Sequence, residues 1–226
     1  MVKELNIRDF STSEELLDEM VSAFEKTIQS IQNSSKSPRV LLSGGGTPVP
    51  LYKRLSNIPL PWDQITFGLV DDRFVSGESE YSNEKLIFET LLRGKARSAK
   101  LLGLVTDRVD LGYNLDQLDT TYSIFEERLD LVILGMGGDG HTASIFPNDA
   151  ASEKALMEDS TPFHYTTSPI FPFQRITCSK RLICQASEIF LMITGKKKLD
   201  VLMGDEQLPI HSFLKARPDI KIFWSE

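Results

Sequence analysis

Four short apolar runs are each followed by residues able to do chemistry. After Leu129–Leu134 comes Gly135-Met136-Gly137-Gly138-Asp139-Gly140-His141-Thr142, which sets a histidine two residues beyond a carboxylate, among glycines that leave backbone amides bare. An imidazole can take a proton from water near neutral pH, so His141 reads as a general base. Asp139 can orient it, fix its tautomer or cap a helix. After Val40–Leu42 comes Ser43-Gly44-Gly45-Gly46-Thr47-Pro48, either a tight strand-to-helix turn or a cradle of N–H groups for an anion. Thr47 suits a helix N-cap and Pro48 the first helical position. After Ile189–Thr194 comes Gly195-Lys196-Lys197-Lys198. Three cations in the first turn of a helix oppose its dipole, which points to at least one of them serving an anion.

The fourth run, Ile65–Val70, leads into Asp71-Asp72-Arg73. This triplet reads as a carboxylate–guanidinium cluster rather than a divalent-metal pair, since Arg73 already supplies the counter-charge. Arg175, in Pro172-Phe173-Gln174-Arg175-Ile176-Thr177, reads by default as a surface charge beside an extra strand. Two tempting motifs fail. Gly135, Gly137 and Gly140 spell GxGxxG, but late in the chain and without the acidic strand end that a dinucleotide ribose needs about 20 residues later. The Ser43–Pro48 loop lacks the GK[ST] of a P-loop. His164 and His211 have no comparable surroundings and read as structural.

The elements that must position these residues alternate. Residues 14–32 carry Leu16, Leu17, Met20, Val21, Phe24, Ile28 and Ile31 at helical spacing, with Thr12 and Glu15 as a capping box. Further strands are expected at Lys100–Val105 and Ile220–Trp224. Helices are expected at Pro48–Leu55, Ser82–Leu92, Leu115–Arg128 and Lys196–Met203. Buried strands alternating with helices predict an α/β fold: a doubly wound, mostly parallel sheet with helices on both faces. His164–Thr167 and Ile176–Ser179 read as extra, antiparallel strands. In such sheets ligands bind beyond the carboxyl ends of the strands, where the four loops above would converge.

Composition narrows the function classes. With 226 residues, 41% of them hydrophobic, the chain fits one domain over residues 1–226 and can bury roughly 70% of its unfolded surface without a staple. A net charge of −7 argues against a nucleic-acid or anionic-membrane partner, though not against a local anion pocket. Two cysteines, Cys178 and Cys184, with no CxxC and no Cys/His cluster, argue against a zinc site or a disulfide framework and fit a reducing compartment. The start, MVKELNIRDF, lacks the pattern of a secretory signal, and the longest apolar run, Ile189–Ile193, is too short to span a membrane. A cytoplasmic protein is expected. Self-association is left open.

At these residues the chain resembles the 6-phosphogluconolactonases, from Leu42 to about Leu202. Gly135–Pro147, GMGGDGHTASIFP, is the most specific piece. Ser43–Pro48, the Asp-Asp-Arg turn with Ser82-Asn83, Arg175-Ile176-Thr177 and Gly195-x-x-Lys198 follow in the family's order. The resemblance implies a doubly wound fold of the glucosamine-6-phosphate isomerase type and hydrolysis of a sugar-phosphate lactone without metal or cofactor. It implies that His141 activates water with Asp139 beside it. It also implies sugar-phosphate contacts from Gly44, Gly45, Thr47, Arg73, Arg175 and Lys198. The family usually has Asp-Glu-Arg where this chain has Asp71-Asp72-Arg73, and Leu104–Asp119 follows the family pattern poorly. Two rivals are a glucosamine-6-phosphate deaminase/isomerase and a sugar-phosphate sensor. The deaminases carry Glu five residues after the His, where this chain has Phe146. A sensor would be expected to bring a DNA-binding segment, and none is visible.

Overall fold

The computed structural model describes residues 5–106, 110–157, 161–204 and 207–226. In chain order the elements are β1 (Ile7–Phe10), α1 (Ser13–Asn33), β2 (Arg39–Leu42), α2 (Val49–Leu55), β3 (Thr66–Leu69), β4 (Asp71–Arg73), α3 (Asn83–Thr90), β5 (Lys100–Leu102), α4 (Leu111–Thr121), α5 (Ser123–Glu127), β6 (Leu131–Gly135), α6 (Ala150–Met157), β7 (Phe163–Thr167), β8 (Gln174–Cys178), α7 (Lys180–Cys184), β9 (Glu188–Thr194), α8 (Lys196–Met203), α9 (Pro209–Ala216) and β10 (Lys221–Ser225). Residues 1–4 of the expected leaderless start, and 107–109 of the stretch that departs from the family pattern, lie outside the described residues.

Seven strands form one sheet in the order β1-β10-β9-β6-β2-β3-β5, every neighbouring pair parallel. From β2 the chain winds outward to β3 and β5; from β6 it winds the other way to β9 and β10. The switch lies between β2 and β6, where Val40 pairs with Leu131 and Leu42 with Ile133. Such a switch opens a crevice at the carboxyl ends of the strands, between loops that diverge. A separate three-stranded antiparallel sheet, β4-β8-β7, carries the two extra strands expected from sequence. The chain passes between the sheets at Val70. Its N–H donates to Leu42 of β2, and its carbonyl accepts from Cys178 of β8.

The helical stripe of α1 is buried as its spacing predicts, with Leu16, Met20, Phe24 and Ile28 fully inside. The Thr12 side chain accepts from the Glu15 N–H, while the Glu15 carboxylate reaches the N–H of Ser11 rather than that of Thr12. Three expectations change, and one strand was not expected. Asp71–Arg73 is a strand of the small sheet, not a turn. Leu115–Arg128 is two helices parted at Tyr122, because that fully buried phenol donates to the Leu102 carbonyl and accepts from the Leu69 N–H. The helix after the glycine loop begins one residue late, with Pro48 rather than Thr47 at its N-cap and no side chain capping it. The edge strand β1 carries no sequence signal in its four residues; its pairing with β10 creates it.

Candidate active site

The loop after β6 is folded around its histidine. Gly137 N–H donates to the His141 carbonyl (2.8 Å), and Gly140 N–H to that of Gly137 (3.1 Å). Gly140 has φ +78°, the left-handed region that favours glycine. Gly137 is bare for a different reason: a Cβ there would sit 2.1 Å from His141 Cε1. The imidazole lies directly over that residue. Asp139 Oδ1 accepts from His141 Nδ1 (2.5 Å) and from its backbone N–H (3.1 Å). The bond to His141 holds the Asp139 carboxyl below the usual carboxylate range. The ring's other side meets Phe146, with ring centroids 4.8 Å apart. Since a carboxylate can only accept, Nδ1 carries the proton and Nε2 keeps its lone pair.

Ser43 ties this loop to the glycine loop after β2. Its Oγ accepts from Gly135 N–H (3.3 Å), its N–H donates to Ile133, and its carbonyl accepts from the buried Tyr52 hydroxyl (2.6 Å). Gly45 takes φ +87°. Gly44 is packed against Asn83, whose Oδ1 would be 1.9 Å from a Cβ.

Between the two loops lies a cavity of about 220 Å³. Gly44, Gly45, Thr47, Arg73, His141 and Lys198 all line it, as do Asp71, Asn83 and Ala143. Of the three lysines at the start of α8, Lys198 is half-buried, and burial lowers its ammonium from the ordinary value. Lys196 instead pairs with Asp200 (2.7 Å), and Lys197 is exposed. Two of the expected residues do not line the cavity: Asp139 stands behind His141, and Arg175 belongs to β8, opposite Arg73 in register.

Arg175 is not the surface charge its surroundings imply. It is 6% exposed, bonded to Ser168 Oγ through Nη2, and its Nη1 is buried without a hydrogen-bond partner. Burial and then the neighbouring Arg73 push it down to about 10. Two guanidinium groups side by side leave a local excess of positive charge in an acidic protein. Asp71 offsets it in part, although burial raises its carboxyl above the ordinary value. That carboxylate accepts from Ser144 Oγ (2.6 Å), and the Ser144 carbonyl from Thr166 Oγ1 (2.5 Å). Sequence reading gave no role to Ser144 or Ala143, and took Ser43 only as part of the glycine-loop cradle. Single small residues outside any periodic pattern carry no signal until the chain is folded. His164 and His211 are buried, and the Nε2 of His211 bonds to the Leu202 carbonyl (2.8 Å). Among the described residues no three His, Cys, Asp or Glu side chains gather as a metal site. Nor is any described helix long and apolar enough to cross a membrane.

Comparison with known proteins agrees with this geometry. Residues 11–219 match the family model of glucosamine-6-phosphate isomerases/6-phosphogluconolactonase. A 6-phosphogluconolactonase of Pseudomonas aeruginosa is 33% identical over 192 residues, covering 82% of this chain and 80% of that protein. One of Caulobacter vibrioides is 28% identical, covering 98% of both chains. The crystal structure of a 6-phosphogluconolactonase from Shewanella baltica superposes over the full length of both chains with a TM-score of 0.87 at 30% identity. With a fully parallel sheet, a switch-point cavity and a family match across nearly its whole length, the chain belongs to the glucosamine-6-phosphate isomerase/6-phosphogluconolactonase family.

Proposed function

We propose that this protein hydrolyses 6-phospho-D-glucono-1,5-lactone to 6-phosphogluconate, the lactonase step of the oxidative pentose phosphate pathway. The observation that carries the reading is the Asp139–His141 pair at the cavity, with Nδ1 engaged and Nε2 left as a base. A δ-lactone is an activated ester, so water needs one general base and stabilisation of the developing oxyanion. Nε2 of His141 takes a proton from water as the water oxygen bonds to the lactone carbonyl carbon. Asp139 stabilises the imidazolium that forms. Arg73 and the glycine-loop amides face the negative charge that builds on the carbonyl oxygen. Collapse breaks the bond to the ring oxygen, which takes the proton back from the imidazolium.

The 6-phosphate is a dianion and needs at least two cations in a chain of net charge −7. Lys198, the backbone of Gly44, Gly45 and Thr47, and Arg175 behind Arg73 meet that need. The unpaired Nη1 of Arg175 supports the assignment, because a buried donor without a partner is costly until an acceptor completes it. We further infer a cytoplasmic enzyme whose partner is a sugar phosphate and not a nucleic acid. Phe146, where the related deaminases carry a carboxylate, stands against ring-opening chemistry at this histidine. The test is an assay on freshly generated lactone, corrected for its spontaneous opening. Wild type should hydrolyse it and His141→Ala should not. A rate no faster than the spontaneous one would end the proposal.

A further inference from the structure

We propose that Asp72 is a positioning residue: its carboxylate clamps the amino end of α3 onto β4 and so sets Arg73 and Asn83 at the cavity. Asp72 is 1% exposed and does not itself line the cavity. Its Oδ1 accepts from the backbone N–H groups of Arg73 (2.7 Å) and Asn83 (2.7 Å). Its Oδ2 accepts from the Glu84 N–H (3.1 Å) and from Ser82 Oγ (3.4 Å). Four donors converge on two oxygens, and only a carboxylate accepts on both. The first turn of a helix leaves such N–H groups without intrahelical partners, so the clamp also caps α3.

Both residues held this way reach the site. Asn83 sends Nδ2 to the Asp71 carbonyl (2.9 Å) and lays its Oδ1 against Gly44, which fixes the gap between the glycine loop and β4. Arg73 is tied to the segment leading into α3 directly and, through Asp72, indirectly. Its amide meets Asp72, and its guanidinium Nη1 donates to the Tyr81 carbonyl (2.6 Å), one residue before Ser82. If the carboxylate let go of Ser82, Asn83 and Glu84, the Tyr81 carbonyl would lose its fixed place, and Arg73 with it.

The kinetic test rests on the lactonase reading and takes the form of a double-mutant cycle. Asp72→Asn keeps the volume but turns a donor toward donors. It should lower kcat/KM roughly 10- to 100-fold, as the loss of a charge-assisted bond does. In an Arg73→Ala background the same change should cost less than about 3-fold, because the group it positions is gone. Asp72→Glu, which keeps an acceptor on both oxygens, should recover most of the activity. Independent, fully multiplying losses, or equal failure of Asn and Glu, would overturn the proposal. Should Asp72→Asn not fold, Ser82→Ala removes the longest bond together with the Ser82 Oγ that accepts from the Lys85 N–H; it should cost about 2- to 5-fold in wild type and nothing beside Arg73→Ala. If wild type proved to have no lactonase activity, amide exchange would still decide. Asn83 and Glu84 should lose protection in Asp72→Asn, and unchanged protection would refute the clamp.

Discussion

The two sheets furnish the cavity in opposite ways. The seven-stranded sheet contributes loops: glycine amides after β2, the His141 turn after β6 and Lys198 after β9. The three-stranded sheet contributes residues from within its strands, Asp71 and Arg73 on β4, with Arg175 on β8 opposite Arg73 and outside the lining. On the loop side the reactive pair is partly open to solvent, with side chains 33% and 41% exposed for His141 and Asp139. On the strand side Asp71, Asp72 and Arg175 are all under 9%. On the proposed mechanism, proton transfer, which needs contact with water, falls to groups at the surface of the crevice, and charge placement, which needs rigidity, to groups built into a ladder.

Four predictions test that division. The largest effect belongs to the loop side: His141→Ala should lower kcat about 10²- to 10⁴-fold while circular dichroism and Tm stay close to wild type. Near-normal turnover in the folded variant would remove the histidine from the mechanism. Next comes Gly137→Ala, whose Cβ would overlap the ring and push it off Asp139. A displacement of about 1 Å costs on the order of 10²-fold, so kcat should drop with little change in KM. An unaffected kcat would mean that the ring orientation seen here is not the working one.

The proposed phosphate cations, one from each side, should show themselves in binding. Arg175→Ala and Lys198→Ala should each raise KM roughly 10- to 150-fold, because phosphate contacts form equally in ground and transition states. Lys196→Ala, which breaks only an exposed i,i+4 pair, should change KM by less than about 2-fold. Equal effects from Lys196 and Lys198, or equally fast hydrolysis of the unphosphorylated lactone, would dissolve the phosphate assignment. The smallest effect is on stability. Burial pushes Asp72 up to about 7 from an ordinary 3.8, against the pull of its backbone N–H partners. Asp71, Arg73, Glu84, Arg175 and Tyr122 surround it. With a raised folded value, the native state below about pH 7 holds a proton that the unfolded chain has released, so stability falls as pH rises between those values, and the four-donor clamp is complete only once that proton has left. Asp72→Asn should flatten the slope of Tm against pH over that window. A slope unchanged from wild type would mean that Asp72 is already charged throughout.

The same division explains what could be read from the sequence. The loop side was legible because glycines, a histidine and lysines at strand ends break an apolar rhythm, and the parallel α/β fold followed from that rhythm. The strand side was legible as a charge cluster and through the family resemblance, but not as structure. A three-residue strand has no period, so Asp71–Arg73 passed for a turn and Arg175 for a surface charge; only the register of β4 on β8 brings the arginines together. Tyr122 was hidden for a related reason. Its hydroxyl bridges Leu69 and Leu102, on strands distant in sequence, and that pinning parts a helix whose own pattern runs on.

Phe146 bears on how chemistries diverge within this family. Its ring packs against the imidazole and is 6% exposed, and its N–H is fixed to Ser152 Oγ (2.9 Å). The resemblance places a carboxylate at this position in the ring-opening deaminases. Here that substitution would bury a charge at a residue 6% exposed and remove the ring that packs against the imidazole.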